Sequence, residues 1–163
     1  MFYQNGDNKL SPYIDICLDL ISSVGASDEV KIAVLIDKKP VNDTTLYYYE
    51  GTTAVQQDWP AESDMSNPDT LVQFAEKVMY DYPSDQYLLE ITANKGSGWQ
   101  GVSFDEHGDG IMITMPEMFD ALDRITDNGC CKLDILLVQS CLAGNYEFRY
   151  QVRQFCDYFV SYA

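Results

Sequence analysis

Cys141 stands where a nucleophile can be presented. It follows Ser140 at the end of the apolar run Leu133–Val138, which reads as a buried strand, and it opens a helix expected from Leu142 to about Cys156. A thiol at a helix N-terminus gains thiolate character from the dipole, and the backbone N–H groups there can hold an oxyanion. A second segment, Asn94-Lys95-Gly96-Ser97-Gly98-Trp99, follows the strand-like run Tyr87–Thr92. It puts an ammonium, Lys95, on a glycine turn and places Trp99 at the rim of a cleft. The chain has one histidine, His107, inside Asp105-Glu106-His107-Gly108-Asp109. This polar turn is expected to face solvent; calcium on Asp105, Glu106 and Asp109 stays open, although the spacing is not that of an EF-hand. Taken alone, a free cysteine is more often a small buried hydrophobe than a catalyst.

The elements that would carry these groups alternate between helix and strand. Ser11-Pro12 opens a helix with Ile14, Cys17, Leu18, Ile21 and Val24 at helical spacing, stopped by Gly25. Val30–Ile36 is apolar nearly throughout, as a strand covered on both faces should be. Thr44–Tyr49 is a further strand, with Tyr47 and Tyr49 packing on one face. Asn67-Pro68-Asp69 starts a helix that ends before Pro83. Residues 96–110 read as a glycine-rich loop with a short hairpin, and Thr114-Met115-Pro116-Glu117 has the spacing of a capping box. A helix through Ile125 follows, closed by Asn128-Gly129, and Tyr158–Tyr162 is a last strand. This order predicts an α/β fold of one domain over residues 1–163, with a mostly parallel sheet of about six strands and helices on both faces. Reactive groups in such sheets collect beyond the carboxyl ends of the strands, which is where both signature segments fall.

Composition narrows the function classes. Twenty-six acidic residues against 10 basic ones give a net charge of −16. Nucleic acid and anionic membrane surfaces both demand a positive footprint, so neither is an expected partner. No run approaches membrane-spanning length. The five cysteines (Cys17, Cys130, Cys131, Cys141, Cys156) are odd in number and lack zinc-type spacing. Reduced thiols fit them best, which favours a reducing compartment. Met1-Phe2-Tyr3-Gln4 is too short and polar for a signal peptide, while a chain exported with its leader removed would look the same.

Several stretches together resemble the clostripain family of cysteine peptidases. Asn5-Gly6-Asp7-Asn8-Lys9-Leu10 is similar to its DGDNNL-type opening, and Asn67–Leu71 with Asp81-Tyr82-Pro83 and Tyr87-Leu88-Leu89 to its helix–YP–strand run. Gly96-Ser97-Gly98-Trp99 with Gly101 matches its HGxGWxG turn except at the histidine. Ser140-Cys141-Leu142 matches the cysteine turn, and Arg153 with Asp157-Tyr158 matches the segment after it. The resemblance implies a caspase-like three-layer sandwich and a histidine–cysteine dyad that cleaves peptides after basic residues. It puts Cys141 at the nucleophile, Lys95 at the histidine position, and Gly96, Trp99, Gln139 and Ser140 at the substrate.

Two positions depart from that pattern. An unperturbed lysine has a pKa of about 10.4, so Lys95 is an ammonium at neutral pH rather than a base. Gln139 stands where the family carries an aspartate that selects Arg or Lys. The leading expectation is a degenerate peptidase domain acting by binding a peptide or protein. The rival is an active cysteine endopeptidase of altered specificity, using Cys141 with Lys95 or His107. A third reading is a thiol sensor, with Lys95 drawing Cys141 towards thiolate.

Overall fold

A computed structural model of the chain describes residues 1–93, 98–108 and 112–161. Its elements run β1 (Phe2–Asn5), α1 (Ser11–Val24), β2 (Ala33–Asp37), β3 (Thr45–Glu50), β4 (Thr53–Gln56), α2 (Pro68–Asp81), β5 (Leu88–Ala93), a 3-10 turn (Gly98–Gln100), β6 (Gly101–Val102), β7 (Ile113–Thr114), α3 (Met115–Ile125), β8 (Leu133–Gln139), α4 (Tyr146–Val152) and β9 (Cys156–Ser161). Seven strands form one sheet in the order β4-β3-β2-β1-β5-β8-β9, and β6 pairs with β7 as a separate ribbon. Strands β2, β1, β5, β8 and β9 are parallel; β3 and β4 extend the sheet as antiparallel neighbours. The expected α/β sandwich with its mostly parallel sheet is the fold of the chain.

Two strands escape the sequence pattern. β1 is only four residues long, and half of it is amide side chains, yet it sits at the centre of the sheet between β2 and β5. The amides are tolerated because Asn5 Nδ2 donates to Ser103 Oγ and Phe104 O, at 3.0 and 3.1 Å. β4, Thr53–Gln56, lacks an apolar face and is held as an edge by pairing with β3.

The sheet has helices on both faces. α2 and α3 cover one face through Leu71, Phe74, Val78, Met118 and Leu122, against Tyr3, Leu35, Ile91, Leu136 and Val138. The Asn67 side chain caps α2 by accepting from Asp69 N, and Thr114 with Glu117 forms the capping box of α3. On the other face Ile14, Leu18 and Ile21 of α1 pack against Phe2, Val34, Ile36, Tyr47 and Tyr49. That is the packing expected of Tyr47 and Tyr49. Ser11 lies one residue inside α1, where its hydroxyl accepts from Lys39 N instead of capping. Among the described residues, nothing covers this face over β9, where Tyr158 and Val160 stay exposed. No described helix is long and apolar enough to cross a membrane.

Candidate active site

Because β1, β2, β5, β8 and β9 are parallel, their carboxyl ends share one edge of the sheet. Four of those ends lead into polar or reactive groups. Asp7 follows β1, Asp37 ends β2, the segment carrying Lys95 follows β5, and Cys141 follows β8. Lys95 and Gly96 lie outside the described residues. β5 and β8 are paired neighbours, so the ends that launch the Lys95 segment and the Cys141 turn are adjacent.

Cys141 is exposed and free of any disulfide. Its local structure corrects the sequence expectation. No helix begins at Leu142: residues 141–144 form a turn, and α4 starts only at Tyr146. Asn145 is the reason, since its Oδ1 accepts from Phe148 N at 2.8 Å and makes it the N-cap, while its Nδ2 donates to Leu142 O at 2.6 Å. Gly144-Asn145 was a readable stop before the helix. At the far end α4 closes at Val152, and Cys156 already belongs to β9. The thiol therefore has no helix dipole behind it.

What the turn supplies is presentation. Ala143 N donates to Ser140 O at 3.3 Å, which closes a β-turn with Cys141 and Leu142 at its two central positions. Leu142 has φ 63°, a left-handed conformation that costs an L-residue free energy, and its side chain is 61% exposed. Ser140 points inward, buried, with its Oγ lacking a hydrogen-bond partner among the described residues.

Gln139 lies on the α1 side of the sheet, where it bonds the Glu90 carboxylate. Gln4 Nε2 and Thr92 Oγ1 donate to the same carboxylate. Glu90 is fully buried, and burial pushes its pKa up to about 7 despite those donors. Position 139 is thus tied to an acid one strand away, which the sequence reading missed. Leu88 to Thr92 alternates like any strand, and nothing local marks Glu90 as inward-facing.

The turn carrying Glu106 and His107 is exposed, as expected, but it is tied down on its inner side. The segment folds back over the strand ends, with Glu106 N donating to Asp7 O at 2.9 Å. The His107 ring meets Asp7 through Nδ1 at 2.8 Å, and His107 N donates to the same oxygen at 2.7 Å. Asp7 follows β1, two strands from β8, a lateral separation of roughly 10 Å at ordinary strand spacing. Asp105 likewise turns inward and is buried, accepting from Met65 N, His107 N and Gly108 N. Glu106 pairs with Lys39 at 2.7 Å, and Asp109 lies outside the described residues.

Trp99 is 63% exposed and lines an open groove of about 470 Å³ with Gln100, Met115, Pro116, Glu147 and Gln151. Arg153 lays its guanidinium over the Tyr150 ring at 3.7 Å, and Asp157 is within 3.9 Å of Lys132.

Comparison with known proteins agrees with this architecture. The model of the clostripain family, Peptidase_C11, matches residues 2–163. A search of curated proteins finds no match. Among solved structures, the chain superposes on a secreted C11 cysteine protease from Bacteroides thetaiotaomicron bound to an irreversible peptide inhibitor, with TM-score 0.78 and 22% identity over 97% of this chain. An inactive zymogen C11 protease from Parabacteroides distasonis gives TM-score 0.65 and 21% identity over 98% of this chain. The chain spans 46% of each of those two proteins, about half their length. At such identities the superpositions speak for the fold, while the family match over nearly every residue speaks for descent: the chain belongs to the clostripain family of cysteine peptidases.

Proposed function

We propose that this domain keeps the peptide-facing cleft of a clostripain-type peptidase but not its histidine chemistry, and that it acts by binding a peptide or protein segment. The observation that carries this is Lys95 at the family's histidine position. Acyl transfer by a thiol needs a group that accepts the thiol proton and returns it to the leaving amine. An ammonium in water is already protonated and can do neither. Two further features support the reading. His107 is held by Asp7, over the end of β1, rather than over the end of β8. Gln139 offers a neutral amide, already bonded to Glu90, where charge would be needed to select Arg or Lys. The exposed Trp99 groove beside α3 and α4 supplies a surface for an extended segment.

Turnover of Arg- and Lys-containing peptides by the unaltered chain and by Lys95→His combined with Gln139→Asp tests the proposal. The double variant is expected to gain cleavage that is lost again on Cys141→Ala, with the unaltered chain at background. Equal turnover by the unaltered chain and the double variant would overturn it.

A further inference from the structure

α1 carries two apolar stripes, and its own sheet uses one of them. Ile14, Leu18 and Ile21 pack against β1, β2 and β3. Tyr13, Ile16, Leu20 and Val24, spaced three and four apart, form a second stripe that is 54–82% exposed. At 3.6 residues per turn Ile16 lies about 200° round the helix from Ile14, on its back, with Leu20 beside it. Tyr13 and Val24 lie on one flank. The other flank is polar: Asp15 pairs with Lys38, and Ser22 meets the Tyr49 hydroxyl above β3. The apolar flank therefore turns towards β5, and burial with the Glu90 charge pushes the Cys17 thiol up there.

Beside that flank the same face of the sheet is bare. Register sets Leu88, Ile135 and Tyr158 in one row across β5, β8 and β9, and Glu90, Leu137 and Val160 in the next. Glu90 is fully buried. Leu88, Tyr158 and Val160 stay 37–70% exposed, because among the described residues α2, α3 and α4 pack on the other face. Three strands span about 10 Å, the diameter of one helix. The face is thus a ridge, α1, beside a trough one helix wide. The exposed parts of its seven large apolar residues come to on the order of 800 Å², at about 200 Å² for a full side chain. The largest apolar patch of a typical monomer is about 300–600 Å², whereas one side of a standard specific interface is about 800 Å².

We propose that two copies of the chain associate about a two-fold axis, with α1 of each lying in the trough of the other. A ridge beside an equal trough is complementary to itself, as an isologous contact requires. The back of α1, at Ile16 and Leu20, meets the partner's β8 and β9. The flank, at Tyr13 and Val24, meets the partner's α1. This accounts for a helix that is apolar on its back, which one covered only by its own sheet would keep polar. Asp15 and Asp19 fall towards the polar flank, so the centre of the contact holds no exposed charge. The net charge of −16 per chain opposes pairing, and salt screens that repulsion beyond about 8 Å at physiological ionic strength.

Sedimentation equilibrium of the unaltered chain across micromolar concentrations tests this. A monomer–dimer equilibrium is expected that tightens as salt rises from about 0.1 M to about 0.5 M. Leu20→Lys on the ridge and Val160→Lys in the trough should each weaken dimerisation at least tenfold, since each puts an ammonium into the apolar centre. Tyr80→Lys, on the exposed side of α2, leaves it unchanged. Leu20 and Val160 are exposed in the single chain, so both variants should melt like the unaltered chain at dilutions where all are monomeric. Either variant that does so decides the matter alone. A chain monomeric at about 100 µM, or a dimer untouched by both lysine variants, would overturn the proposal. So would a dimer that loosens as salt rises. Saturable binding of a helical Leu–Lys peptide by a monomeric chain would overturn it in favour of a basic helix on another protein.

Discussion

The two ends of this site are built in opposite ways. At β1 and β2 the polar groups are buried and bonded to each other: Asn5 alone donates to Ser103 Oγ and Phe104 O and accepts from Asp7 N and Asn8 Nδ2. At β8, two places from β1 along the same edge, Cys141 stands exposed on a turn whose next residue is strained. Among the described residues no hydrogen bond is made to the Cys141 thiol, whereas His107 is bonded to Asp7 at the other end. The polar network has gone into holding loops together. On the function proposed above, the nucleophile position keeps its presentation on a turn and lacks a proton partner.

That contrast predicts unequal responses to substitution. Asn5→Ala should have the largest effect, a loss of about 2–4 kcal/mol in denaturant unfolding, because it strands several buried donors and acceptors. An effect under about 1 kcal/mol would mean that the β1 end is less organised than its hydrogen bonds imply. Glu90, which lies between the two ends, should give the next largest effect. Its folded pKa of about 7 lies above the 4.5 of an ordinary glutamic acid, so the folded state holds the proton more tightly. Stability due to this group is then present below about pH 4.5 and is lost as pH rises towards 7, by about 1–3 kcal/mol. Glu90→Gln should flatten that fall; a slope unchanged between the two proteins would assign it elsewhere.

The Cys141 turn should yield smaller changes. Leu142→Gly is expected to stabilise by about 0.5–1 kcal/mol, since glycine accepts a φ of 63° without strain and little packing is lost from an exposed side chain. Destabilisation would show that the Leu142 side chain matters to the fold. Cys141→Ala should stay within about 0.5 kcal/mol by the same unfolding measurement, as exposed positions without partners usually do. A large loss would place the thiol in the structural core instead of the cleft.

Much of the sandwich was legible because helices and buried strands carry periodic signals. The Thr114–Glu117 capping box, the Asn67-Pro68 start and the apolar Leu133–Val138 strand each announce an element within a few residues. β1 was not legible, since Phe2–Asn5 is short and half amide, and its place in the sheet rests on pairing with β2 and β5, both distant in the chain. The candidate site divides likewise. Cys141 and Trp99 could be named from local motifs, but Asp7, Asp37 and Asp105 form a group only after folding. The turn holding His107 is exposed, as its polar composition suggests, but composition does not show which of its groups also reach inward. His107 and Asp105 bond inward, to Asp7 and the Met65 N–H, while Glu106 meets Lys39 on the outside. The helix expected at Leu142 failed for a local reason, the Gly144-Asn145 cap.

Alkylation of each cysteine between pH 5.5 and 8, read peptide by peptide in the native chain, tests the central claim most directly. Cys130 and Cys131 are exposed and serve as internal references. If the proposed reading holds and no group takes the thiol proton, Cys141 should follow them, its relative rate changing less than about threefold over that range. A Cys141 that reacts more than about tenfold faster than both at pH 5.5, where ordinary thiols are nearly silent, would show an activated nucleophile and contradict the account.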